Sequence, residues 1–140
     1  MASTTLINFP VNLQNVADGS ISGIAPLTVA IALTTADSGR VFKVSKAAAY
    51  IITLPAVSAG LQFTFLSGAV AAFAVTIAGA AGTMVGLWRQ ISGAATVTAA
   101  SASISFTATS VIGDRVDLVC DGTNWYCNAS TGVAAGLVFA

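Results

Sequence analysis

No charged residue occurs between Ala47 and Trp88. This gap constrains the fold more than any motif in the chain. A stretch of that length without charge has to be buried, inserted in a membrane or covered by another surface. The remainder is almost as sparing. Five acidic and five basic residues serve 140 positions, and there is neither histidine nor glutamate. The charges gather at Asp37 to Lys46 and Asp114 to Asp121, with Asp18 and Arg89 apart. The length suits one domain, but a solitary soluble domain carries far more charge. The expectation is a building block that buries its faces against copies of itself or a larger assembly.

Nearly every segment reads as strand or turn, because Val, Ile, Thr, Phe and Ser dominate between regularly placed glycines. Arg40 to Lys46 alternates. Tyr50 to Leu54 follows and stops at Pro55, which has no N–H for a ladder. Leu61, Phe63 and Phe65 share one face of the next strand, with Gln62 and Thr64 on the other. Further strands are expected over Phe73 to Ala78, Met84 to Ile91, Ala94 to Ala100 and Ser103 to Thr109. Arg115 to Cys120 and Asn124 to Asn128 form a hairpin around the turn Asp121-Gly122, since glycine accepts positive φ without a steric penalty. The apolar end, Leu137-Val138-Phe139, should pair or dock, on this chain or a neighbour. Only Ala69 to Ala74 offers a short helix. Short strands at this spacing predict an all-β fold, an antiparallel β-sandwich or barrel of jelly-roll type. The domain is expected over 36–140. Residues 1–35, with apolar stretches Leu6 to Val11 and Leu27 to Leu33, read as N-terminal strands or an arm.

The mean hydropathy of +0.88 raises a membrane reading. Ala69 to Leu87 is long enough to span a bilayer. Its small residues, strand-like alternation and punctuating glycines argue against a spanning helix, and no basic flank orients it. Met1 to Pro10 lacks the basic and apolar regions of a signal peptide. The Arg40, Lys43, Lys46 spacing sits beside Asp37 and is no nucleic-acid footprint. Cys120 and Cys127 flank the hairpin turn and should lie diagonally, at about 7–8 Å, too far for a disulfide. Free, half-buried thiols are expected.

Two stretches resemble small virion structural proteins of tailed phages and some large DNA viruses. One runs from Thr35-Ala36-Asp37-Ser38-Gly39-Arg40-Val41-Phe42 through Ile52-Thr53-Leu54-Pro55-Ala56 to Ala59-Gly60-Leu61-Gln62-Phe63-Thr64-Phe65. The other is Ile112-Gly113-Asp114-Arg115-Val116-Asp117-Leu118-Val119-Cys120-Asp121-Gly122-Thr123-Asn124-Trp125-Tyr126. The resemblance covers about Thr35 to Gly132. It implies a capsid decoration or cement module, or a short fibre or knob, commonly a β-rich homotrimer on the virion surface. The implied partners are the chain itself and the major capsid protein or another virion protein, without nucleic acid or membrane. Such a family supplies no catalytic residues. Interface cores are poor in charge and rich in aromatics. Trp88, Trp125, Tyr126 and Phe139 are therefore the candidate interface anchors, against the plainer reading of core or sheet-face residues.

Chemistry is otherwise thin. Asp114, Asp117 and Asp121 do not follow a calcium-loop spacing. Asp114 is expected to pair near Arg115 or to cap a turn after Gly113. Two cysteines without histidine are too few for zinc, and no histidine activates a serine. Asn128-Ala129-Ser130 fits a glycosylation sequon by chance. The chain is expected to be no enzyme and to need no cofactor or metal. The competing readings are a fibre or knob tip that binds a receptor or carbohydrate, and a membrane-embedded protein.

Overall fold

The computed structural model describes residues 24–45, 47–68, 73–90 and 96–140. Its strands are β1 (Ile24–Leu27), β2 (Ile31–Ala32), β3 (Val41–Val44), β4 (Tyr50–Thr53), β5 (Gln62–Ser67), β6 (Val75–Ala78), β7 (Met84–Gln90), β8 (Thr96–Ser101), β9 (Ser103–Phe106), β10 (Arg115–Cys120), β11 (Trp125–Thr131) and β12 (Leu137–Phe139). A single turn of 3-10 helix, Thr35–Asp37, precedes β3. The fold is an all-β sandwich of two packed sheets. One sheet has seven strands in the order β1-β3-β5-β10-β11-β7-β8, and the other has five in the order β12-β9-β6-β4-β2.

The sheets are mixed, where the sequence reading expected antiparallel strands throughout. The pairs β1–β3, β3–β5, β2–β4, β4–β6 and β7–β11 are parallel. The reason is the path of the chain. The first six strands alternate between the sheets, and each lies beside the strand two before it. Their loops turn the corner to the opposite sheet instead of folding back. A parallel pair needs a crossover, and here the crossover is a strand of the other sheet. Residues 24–78 therefore make three turns of a flattened coil. The apolar stretch Leu27 to Leu33 runs from the end of β1 through such a corner, at residues 28–30, and includes β2, so the two strands lie in different sheets. These strands pair with β3 and β4, so the part of residues 1–35 that is described belongs to the sandwich. The rest of that segment, residues 1–23, lies outside the described residues.

The core follows from alternation. Strands β4, β5, β10 and β11 bury every second residue. Ile52, Ile77 and Ile104 are register partners across the five-stranded sheet and are wholly buried. On the other inner face Phe42 stacks on its register partner Phe65 at 5.5 Å, and Phe63 tilts against Trp125 at 5.7 Å. Burial of such side chains contributes roughly 1.5–3 kcal/mol each. β7 and β11 approach closely at Gly86, where a Cβ would collide with the carbonyl of Cys127.

Among the described residues no helix is long and apolar enough to cross a membrane. The window read as a candidate span is occupied from Val75 onward by β6, a turn and β7. Of the helix expected over Ala69 to Ala74, residues 69–72 lie outside the described residues. The apolar end of the chain pairs on its own fold, as β12 against β9.

Candidate functional site

The β10–β11 hairpin is built on the Asp-Gly turn. The Asp121 Oδ1 accepts hydrogen bonds from the backbone N–H of Thr123 (2.8 Å) and of Asn124 (2.7 Å). Gly122 takes a φ of 101°, where a side chain would be strained. The bonds from Asn124 and Thr123 hold the Asp121 carboxyl below the usual carboxylate range. The same carboxylate raises the hydroxyl of Tyr126, its hydrogen-bond partner. Four residues separate the strands, so Cys120 pairs with Trp125 and Cys127 with Leu118, a diagonal arrangement of the two thiols. Both are free and fully buried, deeper than the half-burial expected. Burial pushes Cys127 up to about 12, with the charge of Asp117 adding to it.

Of the four aromatic candidates, the three whose side chains are described do not come together. Trp125 is 0% exposed, a core residue of this chain. Its neighbour Tyr126 points the other way and is 50% exposed. Phe139 is half-buried and packs on the core from β12. Trp88 lies on β7 opposite Ala129, and its side chain is outside the described residues.

Asp114 plays a part that the sequence reading only half anticipated. It is 2% exposed, with no cation against it among the described residues. Its Oδ2 accepts from the Val111 N–H and the Thr131 hydroxyl, both at 2.9 Å, and its Oδ1 accepts from the Gly132 N–H at 2.8 Å. The carboxylate thus caps the turn before β10, as expected, and also clasps the end of β11. The expected pairing near Arg115 is not made. Arg115 reaches Asp117 instead, through Nε (2.7 Å) and Nη2 (2.9 Å).

The outer faces of the two sheets are chemically unlike. On the seven-stranded sheet a register row carries Lys43, Leu66, Arg115, Ser130 and Arg89. The next row holds Asp117, which also accepts from the Thr64 hydroxyl at 2.6 Å. All charged residues among the described ones lie on this sheet or in the segments leading into its strands. The outer face of the five-stranded sheet carries none. One row reads Ile51, Thr76, Ser105, Val138, and the next Ala32, Thr53, Ala78, Ser103. Ile51 is 52% exposed and Val138 43%. The hydroxyls of Thr76 and Ser105 bond to each other at 2.9 Å.

The exposed ion pairs set an acid limit. Burial alone would raise the Asp117 carboxyl, but hydrogen bonds from Arg115 and Thr64 and the guanidinium charge outweigh it and hold it low. At Asp37 burial is likewise outweighed, by hydrogen bonds from Thr34 and Arg40 and by the Arg40 charge. A carboxyl lowered in the folded state stabilises the fold above its unfolded value, roughly 3.9. That contribution is lost as pH falls through the folded value. Urea midpoints are expected to hold from neutral pH to about 5 and to fall below about 4, less steeply in Asp117→Asn. A midpoint flat down to about pH 2 would contradict this.

Among the described residues no group of three or more potential ligands is placed to hold a metal ion. The clefts are open and shallow. The one against Arg89, Ile112 and Thr131 measures about 330 Å³. No family model matches the chain, and neither a curated protein nor a solved structure is found similar to it.

Proposed function

We propose that the chain is a structural virion protein, a capsid decoration or cement module that binds and stabilises the shell as an oligomer. The observation that carries the reading is the outer face of the five-stranded sheet, which has no charge and exposes Ile51 and Val138. A face of this composition gains from being covered, at roughly 25 cal/mol per Å² of apolar surface. The opposite face, with its arginines and Asp117, is suited to water. A module with one face of each kind binds on one side and stays solvated on the other. Several copies acting together multiply weak contacts into firm attachment. The sequence resemblance to virion proteins points the same way.

The test has two steps. Light scattering of the purified chain without detergent should give a homotrimer, single or paired. Gold-labelled antibody against the chain should then decorate the shells of virus particles from the source culture. A monomer at micromolar concentration, or particles without shell label, would overturn the reading. A fibre or knob tip draws support from Tyr126, an exposed aromatic held beside Asp121. Label confined to fibre ends, with binding on a glycan array that Tyr126→Ala abolishes, would decide for it.

A further inference from the structure

The charge-free face has a pattern that says what covers it. We infer that it packs on the same face of another copy of this chain, with the Ile51 side of one copy against the Val138 side of the next. The inference rests on the assembly reading above and adds to it a two-fold contact by which homotrimers pair.

Charge complementarity is the first argument. An ion laid against this face would lose its water and find no counter-charge, which is costly. The covering surface must therefore be uncharged as well. The other sheet face of the chain carries Lys43, Arg89, Arg115 and Asp117 and does not qualify. The five-stranded face qualifies as its own counterpart.

The row pattern is the second argument. Ile51, Thr76, Ser105 and Val138 are register neighbours on β4, β6, β9 and β12. The row is apolar at both ends and hydroxylic in the middle, so it reads alike from either end. A second copy turned end for end sets a β-branched side chain against a β-branched side chain and hydroxyl against hydroxyl. This is the self-complementarity of a two-fold contact, which closes on a pair of copies, so the face joins one homotrimer to another rather than building the trimer. The middle hydroxyls bond to each other, which leaves one O–H to be met by a hydroxyl of the facing copy when water leaves. The neighbouring row, with alanine, serine and threonine, has no bulky side chain to hold two sheets apart.

Ile51→Arg is the primary test, because the exposed position lets the folded monomer tolerate a charge. Its light-scattering mass should halve, to that of a single homotrimer, while the β-sheet circular dichroism is kept. Val138→Arg should do the same, and Asn128→Arg on the opposite outer face should leave the mass unchanged. The double variant Ile51→Cys, Val138→Cys should form covalent oligomers under mild oxidation, which reducing agent dissolves. A wild-type mass of one chain or of a single homotrimer, or both arginine variants at wild-type mass with no cross-link, would overturn the inference. Retained mass with shell label lost would assign the face to the shell; the inference then fails and the virion reading stands. Retained mass with a lowered melting temperature would assign it to residues 1–23 of the same chain, again overturning the inference. Dissociation as expected, with particles that never carry label, supports the inference and removes the virion reading.

Discussion

Asp114→Ala is expected to lower the unfolding free energy by about 3 to 5 kcal/mol, among the largest effects of any single substitution in this chain. The carboxylate is buried and accepts three hydrogen bonds, from Val111, Gly132 and Thr131. Alanine would leave two part-buried backbone N–H groups without their partner, and the Thr131 hydroxyl with only its weaker acceptor, the Val133 carbonyl at 3.2 Å. Each buried orphan costs about 1–3 kcal/mol. Asp114→Asn should recover only part of this. Its single oxygen can replace one of the two acceptors, and its amide N–H₂ would then meet a donor. Denaturant unfolding of the two variants beside the parent checks the order. A loss under about 1 kcal/mol for alanine would show that the clasp is not needed.

Trp125 should give a sharper contrast between two substitutions. Trp125→Ala removes the largest wholly buried side chain among the described residues, which tilts against Phe63. Truncations of this kind cost about 3–5 kcal/mol. Trp125→Phe should cost only about 1 kcal/mol or less, and the reason is chemical. The indole Nε1 is buried without a hydrogen-bond partner, so the parent already carries the penalty of an orphaned donor. Phenylalanine removes that penalty and offsets the lost volume. Equal destabilisation by alanine and phenylalanine would contradict the account.

Alternation made most strands legible. β3, β4, β5 and β10 lie within a residue or two of where their residues placed them, because half-buried strands must switch chemistry at every step. The hairpin turn was legible for a backbone reason, since Asp-Gly fits the φ that Gly122 adopts. The coil was not legible. Its turns differ in length, with Ile24 beside Val41 and Val41 beside Thr64, so no fixed period appears. A corner between sheets also looks like an ordinary turn in sequence. The aromatic candidates show a simpler oversight. Trp125 and Tyr126 are neighbours on one strand, so they cannot serve the same face. The clasp of Asp114 on Thr131 and Gly132 spans 17 and 18 residues and leaves no local signal. Charge scarcity was visible from the start. What needed the fold was its distribution, because strands far apart in the chain together make one face without an ion.

The strand order also dictates when the molecule can be finished. β10 and β11 enter between β5 and β7, and the bond from Thr64 to Asp117 closes a loop of 53 residues. During synthesis the coil of the first six strands appears early, but β5 keeps a bare edge until the hairpin that covers it has emerged. Non-local closures of this kind fold slowly, on a scale of milliseconds to seconds. Unpaired strand edges recruit other chains in that interval. A cell that makes this protein in bulk therefore faces its greatest risk of aggregation before the β10–β11 hairpin has left the ribosome.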